Sequence, residues 1–425
     1  MNKSKLILIT GFALFSMFFG AGNLILPPFL GFQAGSDWFL VIVGFVLTAV
    51  VIPILGIIAH AKLQGTMFDF GKKVSPLFSV VYCLIVYMIS AALPVPRTAS
   101  VTYEMAIQPF FEISPIIASS IYFVLVFIFV LNRSNVINII GKFLTPLIVL
   151  ILLFIIVIGV MMPHNVLSIS NFETPLVAGI LEGYQTFDAM GAVVVGGVII
   201  ISLNVSFKEE ISFAFKKDVI RKSGFVAGLG LLLIYGGLIL IGSLFGGLFS
   251  ETSTRSEVLS TLSIQALGNI GIAFLSILIA LACFTTAVGI VIGVADYFKG
   301  IFGNKRSAYH IAASISCLLG IVIGQFDVHY ILDIALPVLM FIYPITIVLI
   351  FLNLLPEKFA SKKVFKGVVL VAFIFSIPDF LKFLINPELL EGIQTIIPLA
   401  KYSLGWVIPA ILTFTTLNFK KLRAV

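Results

Sequence analysis

The sequence predicts an all-α polytopic membrane protein with about twelve transmembrane helices. Hydrophobic residues make up 60% of the 425 residues and charged residues only 11%, and the mean hydropathy is +1.19. A soluble domain of this length does not enclose so much apolar surface in one core. Apolar runs of roughly 20 residues, the length that crosses a bilayer core about 30 Å thick, recur along the whole chain.

Twelve of these runs are predicted as membrane spans and are numbered here 1 to 12 in chain order. Spans 3 and 8 are longer than one crossing requires, which predicts a strong tilt or an interruption. The spans cover residues 6–30, 38–61, 76–108, 115–131, 140–162, 176–203, 224–248, 263–296, 307–324, 330–355, 364–384 and 400–417.

The distribution of Lys and Arg predicts that both termini lie in the cytoplasm. Of the 26 basic residues, only Arg97, Arg255, Lys382 and Lys401 fall outside the termini and the alternate loops that this orientation places inside. The formal charge of +7 is therefore dispersed. It indicates topology and contact with anionic lipid head groups rather than a nucleic-acid surface. The first apolar run is too long for a cleaved signal peptide and is predicted as span 1.

Reactive side chains give no sign of an enzyme or of a cofactor site. Cys83, Cys283 and Cys317 lie singly in apolar runs, which favours a role in packing. The four histidines show no metal-ligand spacing, and the sequence contains no nucleophile elbow, P-loop or Asp-rich diphosphate motif. Transport is the leading functional class, with a channel, scaffold, receptor or embedded enzyme as alternatives.

The stretch FFGAGNLILPP, residues 18–28, predicts a broken helix in span 1. Proline lacks a donor and clashes with the carbonyl four residues earlier, and the clash disappears where a new helix begins. We therefore predict an extended segment from Phe19 to Gly22, a restart at residues 24–26 and a cap at Asn23. The N-terminus of the outer half-helix would attract a carboxylate. The alternative is a packing kink made with small residues.

An inverted repeat of five helices predicts a second break in span 6. The centre of this span, EGYQTFDAMGA at residues 182–192, is the most polar run inside any span. Asp188 is a functional candidate because a carboxylate inside a span is costly. It is equally a structural partner for Arg97 or for the hydroxyls of Tyr184 and Thr186. Glu182 is predicted at the outer rim.

Span 8 carries the adjacent pair Thr285 and Thr286, whose side chains point about 100° apart on a helix. Their hydroxyls predict a site for one small hard cation such as Na⁺, which prefers oxygen ligands. Backbone carbonyls freed at Ser16 and Phe19 would complete its shell. The alternative is that both threonines hydrogen-bond to carbonyls of their own helix.

Span 3 contains AALPVPRTASVTYEM, residues 91–105, in which two prolines bend the chain locally. Arg97 and Glu104 are predicted in its outer half, where they would line an extracellular vestibule or gate. For Arg97 the alternative is a side chain at the span end that snorkels to the membrane interface.

Three motifs, GFALFSMFFGAGNLILPPFLGFQAG, PVPRTASVTYE and GYQTFDAMGA, together resemble the bacterial branched-chain amino acid:cation symporters (the LIVCS, BrnQ-type family). The resemblance covers essentially the whole chain. It implies a LeuT-like fold of the amino acid-polyamine-organocation superfamily. Spans 1–5 (residues 1–165) and 6–10 (166–357) would form the inverted repeat, followed by spans 11 and 12 (358–425). It also implies uptake of leucine, isoleucine and valine across the bacterial cytoplasmic membrane, driven by a cation gradient.

Carried onto this sequence, the resemblance places the amino acid at the two breaks and the cation beside span 1. An apolar wall of phenylalanines would accept all three substrates, since each methylene changes affinity by only about 0.8 kcal/mol. The implied substrate residues are Phe18, Phe19, Gly20, Ala21, Gly22, Asn23, Tyr184, Gln185, Thr186, Phe187 and Asp188. The implied Na⁺ ligands are Ser16, Phe19, Ala282, Thr285 and Thr286. No cofactor is implied. Coupling to H⁺, with Asp188 as the titrating group, is the alternative to Na⁺.

Overall fold

The computed structural model describes residues 3–132, 143–163, 166–207, 212–268 and 270–422. Within these ranges the chain forms helices joined by loops, with no strand, which confirms the all-α fold class. Among these residues, eight helical stretches are long and apolar enough to cross a membrane, and two further apolar helices are shorter. Four of the predicted cytoplasmic basic residues, Arg133, Lys142, Lys208 and Arg423, lie outside the described ranges.

Each predicted span corresponds to one helix or to two consecutive helices. Spans 1 to 6 comprise Lys3–Phe18 with Ala21–Ala34, Trp38–Val46 with Ile52–Leu63, Pro76–Ala92 with Pro94–Thr102, Pro115–Leu131, Thr145–Met161, and Pro175–Tyr184 with Asp188–Phe207. Spans 7 to 12 are Phe213–Leu244, Ile270–Ile301, Arg306–Ile323, Val328–Leu354, Lys362–Leu381 and Val407–Leu422. Wide π-helical turns at Leu47–Val51 and Tyr103–Ile107 belong to spans 2 and 3.

The two long spans differ from each other. Span 3 is interrupted at Leu93, directly before the helix that Pro94 begins. Span 8 is a continuous 32-residue helix, and its predicted start at residue 263 is wrong. Residues 255–267 form a separate helix, Arg255–Leu267, which ends at Gly268. Gly268 has φ +63°, a left-handed conformation that glycine adopts without steric cost.

Spans 6 and 8 form the centre of the bundle. The buried share of the most apolar stretch is 94% in Pro175–Ile200 and 78% in Ile270–Ile301, against 28% in span 9 and 39% in span 11. The outer helix of span 1 also packs tightly on span 7. A methyl group at Gly31 or at Gly242 would collide with a backbone carbonyl of the opposite helix, so small residues here allow the two backbones to touch.

Candidate functional site

The break in span 1 is shorter than the sequence predicts. The inner helix ends at Phe18 and the outer helix begins at Ala21, so only Phe19 and Gly20 lie between them. Gly20 is extended and donates its N–H to Oδ1 of Asn23 at 3.4 Å. The predicted four-residue gap and the restart at residues 24–26 are therefore wrong. Asn23 caps the helix from its third position rather than from in front of it.

Pro27 and Pro28 lie inside the outer helix instead of in its first turn, which corrects the prediction that they restart it. Neither proline donates a backbone hydrogen bond, so the carbonyls of Asn23 and Leu24, four residues earlier, lose their usual intrahelical donor. The prolines thus leave two under-bonded carbonyl groups close to the break.

Five oxygen atoms gather where span 8 passes this break. The N–H of Gly20 turns away from the helix, so the carbonyl of Ser16 accepts hydroxyls instead, from Thr285 at 3.1 Å and from Thr286 at 3.2 Å. The Ser16 hydroxyl donates to Thr285 Oγ1 at 2.8 Å, and Thr285 Oγ1 lies 3.0 Å from the carbonyl oxygen of Ala282. This all-oxygen donor set fits a hard cation such as Na⁺.

Span 6 breaks at residues 185–187, as predicted. Its outer helix ends at Tyr184 and its inner helix begins at Asp188. Phe187 has φ +64°, which is uncommon for a residue other than glycine and indicates that its surroundings hold the turn. The Phe187 ring centroid lies 5.1 Å from the guanidinium of Arg97, and Arg97 Nη1 donates to the carbonyl of Gln185 at 2.9 Å.

Asp188 connects spans 1, 6 and 7. Its Oδ2 accepts Nδ2 of Asn23 at 2.7 Å and the hydroxyl of Tyr235 at 3.1 Å, and Asn23 Nδ2 also contacts the Tyr235 hydroxyl. The backbone N–H of Asp188 donates to Thr186 Oγ1 at 3.2 Å. No ion pair within 4.0 Å joins Asp188 to Arg97. Of the structural partners that the sequence suggested, only Thr186 is hydrogen-bonded to Asp188.

Arg97 and Glu104 lie in different places, although the sequence groups them at an extracellular vestibule. Arg97 is only 3% exposed and lies between the two breaks, because the helix that begins at Pro94 packs against spans 1 and 8. The vestibule and snorkelling expectations for Arg97 are therefore wrong. Glu104 lines a separate cavity of about 740 Å³ beside Arg255, where it accepts the N–H of Val328 at 2.9 Å.

A central cavity between the two breaks brings together eight of the predicted residues. Its volume is about 20 Å³, room for about one water. The free space between the two breaks is thus smaller than an amino acid. The predicted residues that line it are Phe18, Gly20, Asn23, Arg97, Thr186, Phe187, Asp188 and Thr286.

Several predicted substrate residues point elsewhere. The Phe19 ring stacks on Tyr235 at 5.9 Å, and the Tyr184 ring stacks on a tyrosine of span 10 at 4.5 Å. Gln185 Nε2 donates to Glu182 Oε1 at 2.8 Å. These side chains support the two breaks instead of lining the central cavity.

An ion pair connects the outer side of span 6 to the helix Arg255–Leu267. Arg255 Nη2 lies 3.3 Å from Glu182 Oε1, and both side chains are partly buried. The same oxygen accepts Gln185 Nε2, so the pair is linked directly to the span 6 break. The guanidinium of Arg255 lies 5.5 Å from the centroid of Phe29 in span 1. The rim position that the sequence suggests for Glu182 stays a prediction.

A family model described as branched-chain amino acid transport protein matches residues 3–423. The chain belongs to this family. It is similar to two permeases of Bacillus subtilis (strain 168). The branched-chain amino acid permease BraB is 32% identical over 417 residues, covering 95% of this chain and 93% of BraB. The branched-chain amino acid permease BrnQ is 32% identical over 425 residues, covering 96% and 95%. Membership makes the chain a transport protein rather than an enzyme.

A solved structure shows the same fold at low sequence identity. The crystal structure of an Eremococcus coleocola manganese transporter, in complex with an aromatic bis-isothiourea substituted compound, has a TM-score of 0.62 to this family member. The match covers 97% of this chain and 96% of that chain at 14% identity. The likeness concerns the fold alone, and together with the breaks in spans 1 and 6 it confirms the predicted fold class.

One polar residue in the hydrogen-bond network around Asp188 was not predicted from the sequence. Tyr235 lies in LLLIYGGLIL, residues 231–240, an otherwise apolar run of span 7. A hydroxyl at that depth needs a protein partner because no water is available in the bilayer core. That requirement was the available signal, and the partners are Asn23 and Asp188. Residues that also line the cavity without having been predicted are Met17, Pro94, Thr98, Gly191 and Ile290.

Proposed function

We propose that this transporter imports leucine, isoleucine and valine together with Na⁺ across the cytoplasmic membrane by alternating access. The observation that carries the proposal is the position of Gly20 between the two candidate sites. Gly20 lines the central cavity, and a methyl group on it would lie 2.8 Å from Thr286 Oγ1 in the oxygen cluster. An ion bound at the cluster would therefore order the same residues that bind the amino acid.

The cavity offers a complementary group for each part of a branched-chain amino acid. The carboxylate of Asp188 would hold the ammonium group, and the first-turn amides of the outer span 1 helix would face the carboxylate. Phe18, Phe187 and Ile290 supply apolar lining for the side chain. BraB and BrnQ are both described as branched-chain amino acid permeases, which supports this substrate class.

The small size of the central cavity supports transport by a change of conformation. Because its volume of about 20 Å³ excludes an amino acid, the surrounding helices have to move for binding and release. A cavity of about 740 Å³ lies on the side of Glu104 and Arg255. Another of about 330 Å³ lies on the opposite side, lined by Thr66, Tyr87 and Gly300 among others. These cavities are suited to become the two alternating routes of access.

Charged side chains support an orientation with both termini in the cytoplasm. Lys3 and Lys222 pair with Asp218 at 2.9 Å and 3.0 Å, and Lys62 donates to carbonyls at the end of span 10, including that of Leu355 at 2.6 Å. This end of the bundle collects the basic residues that the sequence assigns to the inside.

A chain of contacts between the two candidate sites supports the proposed coupling to Na⁺. The oxygen cluster holds Ser16 against span 8, a few residues before the break at residues 19–20. At the break, the Gly20 N–H donates to Asn23, and the Asn23 side chain donates in turn to Asp188. Ion binding that orders this chain would raise the affinity for the amino acid, and the amino acid would raise the affinity for the ion by the same factor.

The burial of Asp188 favours H⁺ as the second candidate for the driving ion. This carboxylate is 2% exposed and forms no ion pair with Arg97. A proton carried by Asp188 would couple the same cavity to a pH gradient.

Uptake of labelled leucine into proteoliposomes distinguishes these possibilities. An inward Na⁺ gradient at equal pH on both sides is expected to drive accumulation above equilibrium, whereas a pH gradient without Na⁺ is not. The reverse result would assign H⁺ as the driving ion. Accumulation under neither gradient would refute symport, and vesicles with equilibrated ions serve as the control.

A further inference from the structure

Arg97 has fewer partners than its buried charge requires. A guanidinium carries five N–H donors, and here Nη1 donates to one neutral acceptor, the carbonyl of Gln185. Nε is buried and has no acceptor among the described residues. Among the described residues, no carboxylate oxygen lies within 4.0 Å of the guanidinium nitrogens, so Arg97 forms no ion pair there. The Phe187 ring, 5.1 Å away, offers only the weak attraction of an aromatic face.

A buried charge without a counter-ion is strongly unfavourable, so such groups are normally paired or bound to a ligand. Nearly the whole side chain of Arg97 is shielded, at 3% exposed, and bulk water does not compensate it. Although the Asp188 carboxylate lines the same cavity, it does not reach Arg97, and the planar fork of a guanidinium matches a carboxylate in a two-point hydrogen-bonded arrangement.

The position of the guanidinium identifies which anion would reach it. Arg97 and Asp188 line the same central cavity. A methyl group on Gly22 would lie 2.5 Å from Arg97 Nη2, so the guanidinium sits against the first turn of the outer span 1 helix. The backbone amides of that turn and the guanidinium therefore both favour an anion in the same part of the central cavity. A ligand with a carboxylate and an ammonium group would satisfy Arg97 and Asp188 together.

We propose that Arg97 binds the carboxylate of the transported amino acid, so that the site selects α-amino acids over amines with the same side chain. The inference rests on the proposed function and gives it a charged recognition group. The hydrogen bond to the Gln185 carbonyl orients the guanidinium at the span 6 break. Gly22 leaves the space in which the fork lies.

Comparison of leucine with leucinol tests the assignment, because leucinol keeps the ammonium group and the side chain but lacks the carboxylate. Binding to the purified transporter is measured by calorimetry in Na⁺-containing buffer. Leucine is expected to bind about 10- to 100-fold more tightly than leucinol. Arg97→Gln should lower this ratio several-fold, to the value that the first-turn amides alone provide, whereas Arg97→Lys, which keeps the charge without the fork, should give an intermediate ratio.

Gly22→Ala provides a second variant that leaves Arg97 in place. Its methyl group would displace Nη2 and should lower the leucine-to-leucinol ratio, while alanine is well tolerated in a helix. A ratio in Arg97→Gln equal to that of the parent overturns the inference. The melting temperature shows whether Arg97→Gln is folded. If it is not, two other results overturn the inference: a leucine-to-leucinol ratio near one in the parent, or an unchanged ratio in Gly22→Ala. Failure of the proposed function is seen separately, as absence of gradient-driven leucine accumulation by the parent.

Discussion

Replacement of Thr286 by Ala tests whether the oxygen cluster binds the coupling ion. The variant loses one of the five oxygens and leaves the Ser16 carbonyl with Thr285 as its remaining hydroxyl donor. Loss of one buried oxygen partner is expected to cost about 1–3 kcal/mol. At about 1.4 kcal/mol per tenfold change, the Na⁺ concentration for half-maximal leucine uptake should rise about 5- to 150-fold.

The assay is the initial rate of labelled leucine uptake into proteoliposomes over a series of Na⁺ concentrations. Thr286→Ser keeps the hydroxyl oxygen and should retain a sodium dependence close to that of the parent. Melting temperatures measured without Na⁺ show whether either variant is misfolded. Normal uptake by Thr286→Ala with an unchanged Na⁺ dependence would show that the cluster is not the ion site.

Three further variants probe the site and its frame. Asp188→Asn removes the charge that would hold the ammonium group and should weaken leucine binding at least about 10-fold; normal binding would make Asp188 structural. Glu182→Gln breaks the ion pair with Arg255, which is worth about 0–1 kcal/mol and joins the span 6 break to the helix Arg255–Leu267. The variant should therefore speed the exchange of leucine through the cavity beside Arg255; an unchanged exchange rate would show that the pair does not restrain this route. Gly31→Ala forces a methyl group into a backbone carbonyl of span 7. The clash should cost about 1–3 kcal/mol of folding stability and thereby lower the melting temperature. Gly300→Ala, with open space around the added methyl, is its matched control and should leave the melting temperature unchanged.

The sequence determines the helical architecture well because the bilayer imposes simple rules. Length, apolarity and the positions of Lys and Arg suffice to locate spans, and an inverted repeat relates the break in span 1 to that in span 6. The boundaries are less predictable. Pro27 and Pro28 looked like a helix start, but they are accommodated inside the outer helix, where packing on span 7 holds the backbone. Local propensity does not reveal such tertiary support.

The side-chain partners were the least predictable part, since they join residues far apart in the chain. Thr285 and Thr286 could be matched with Ser16 because carbonyl release at a break has a local cause. Arg97 could not be placed, because an arginine beside prolines near a span end resembles an interfacial residue equally well. The partners of Tyr235 could not be predicted, since a single tyrosine in an apolar span signals the need for a partner but carries no local motif that identifies it. For these residues only the packing of the spans decides the role.

The structure also changes the explanation of how a membrane helix tolerates a break. The sequence suggests that ligands repair the lost hydrogen bonds of span 1, but side chains of the protein already do so. Asn23 is suited to this task because its amide both accepts and donates: Oδ1 accepts the N–H of Gly20, while Nδ2 donates to Asp188. The hydroxyls of Thr285 and Thr286 occupy the carbonyl of Ser16. Irregular backbone is tolerated at this depth where protein satisfies it, so the break is stable before ligands bind. In the proposed mechanism the ion and the amino acid would compete with these internal partners, so that each ligand would change the geometry that the other encounters.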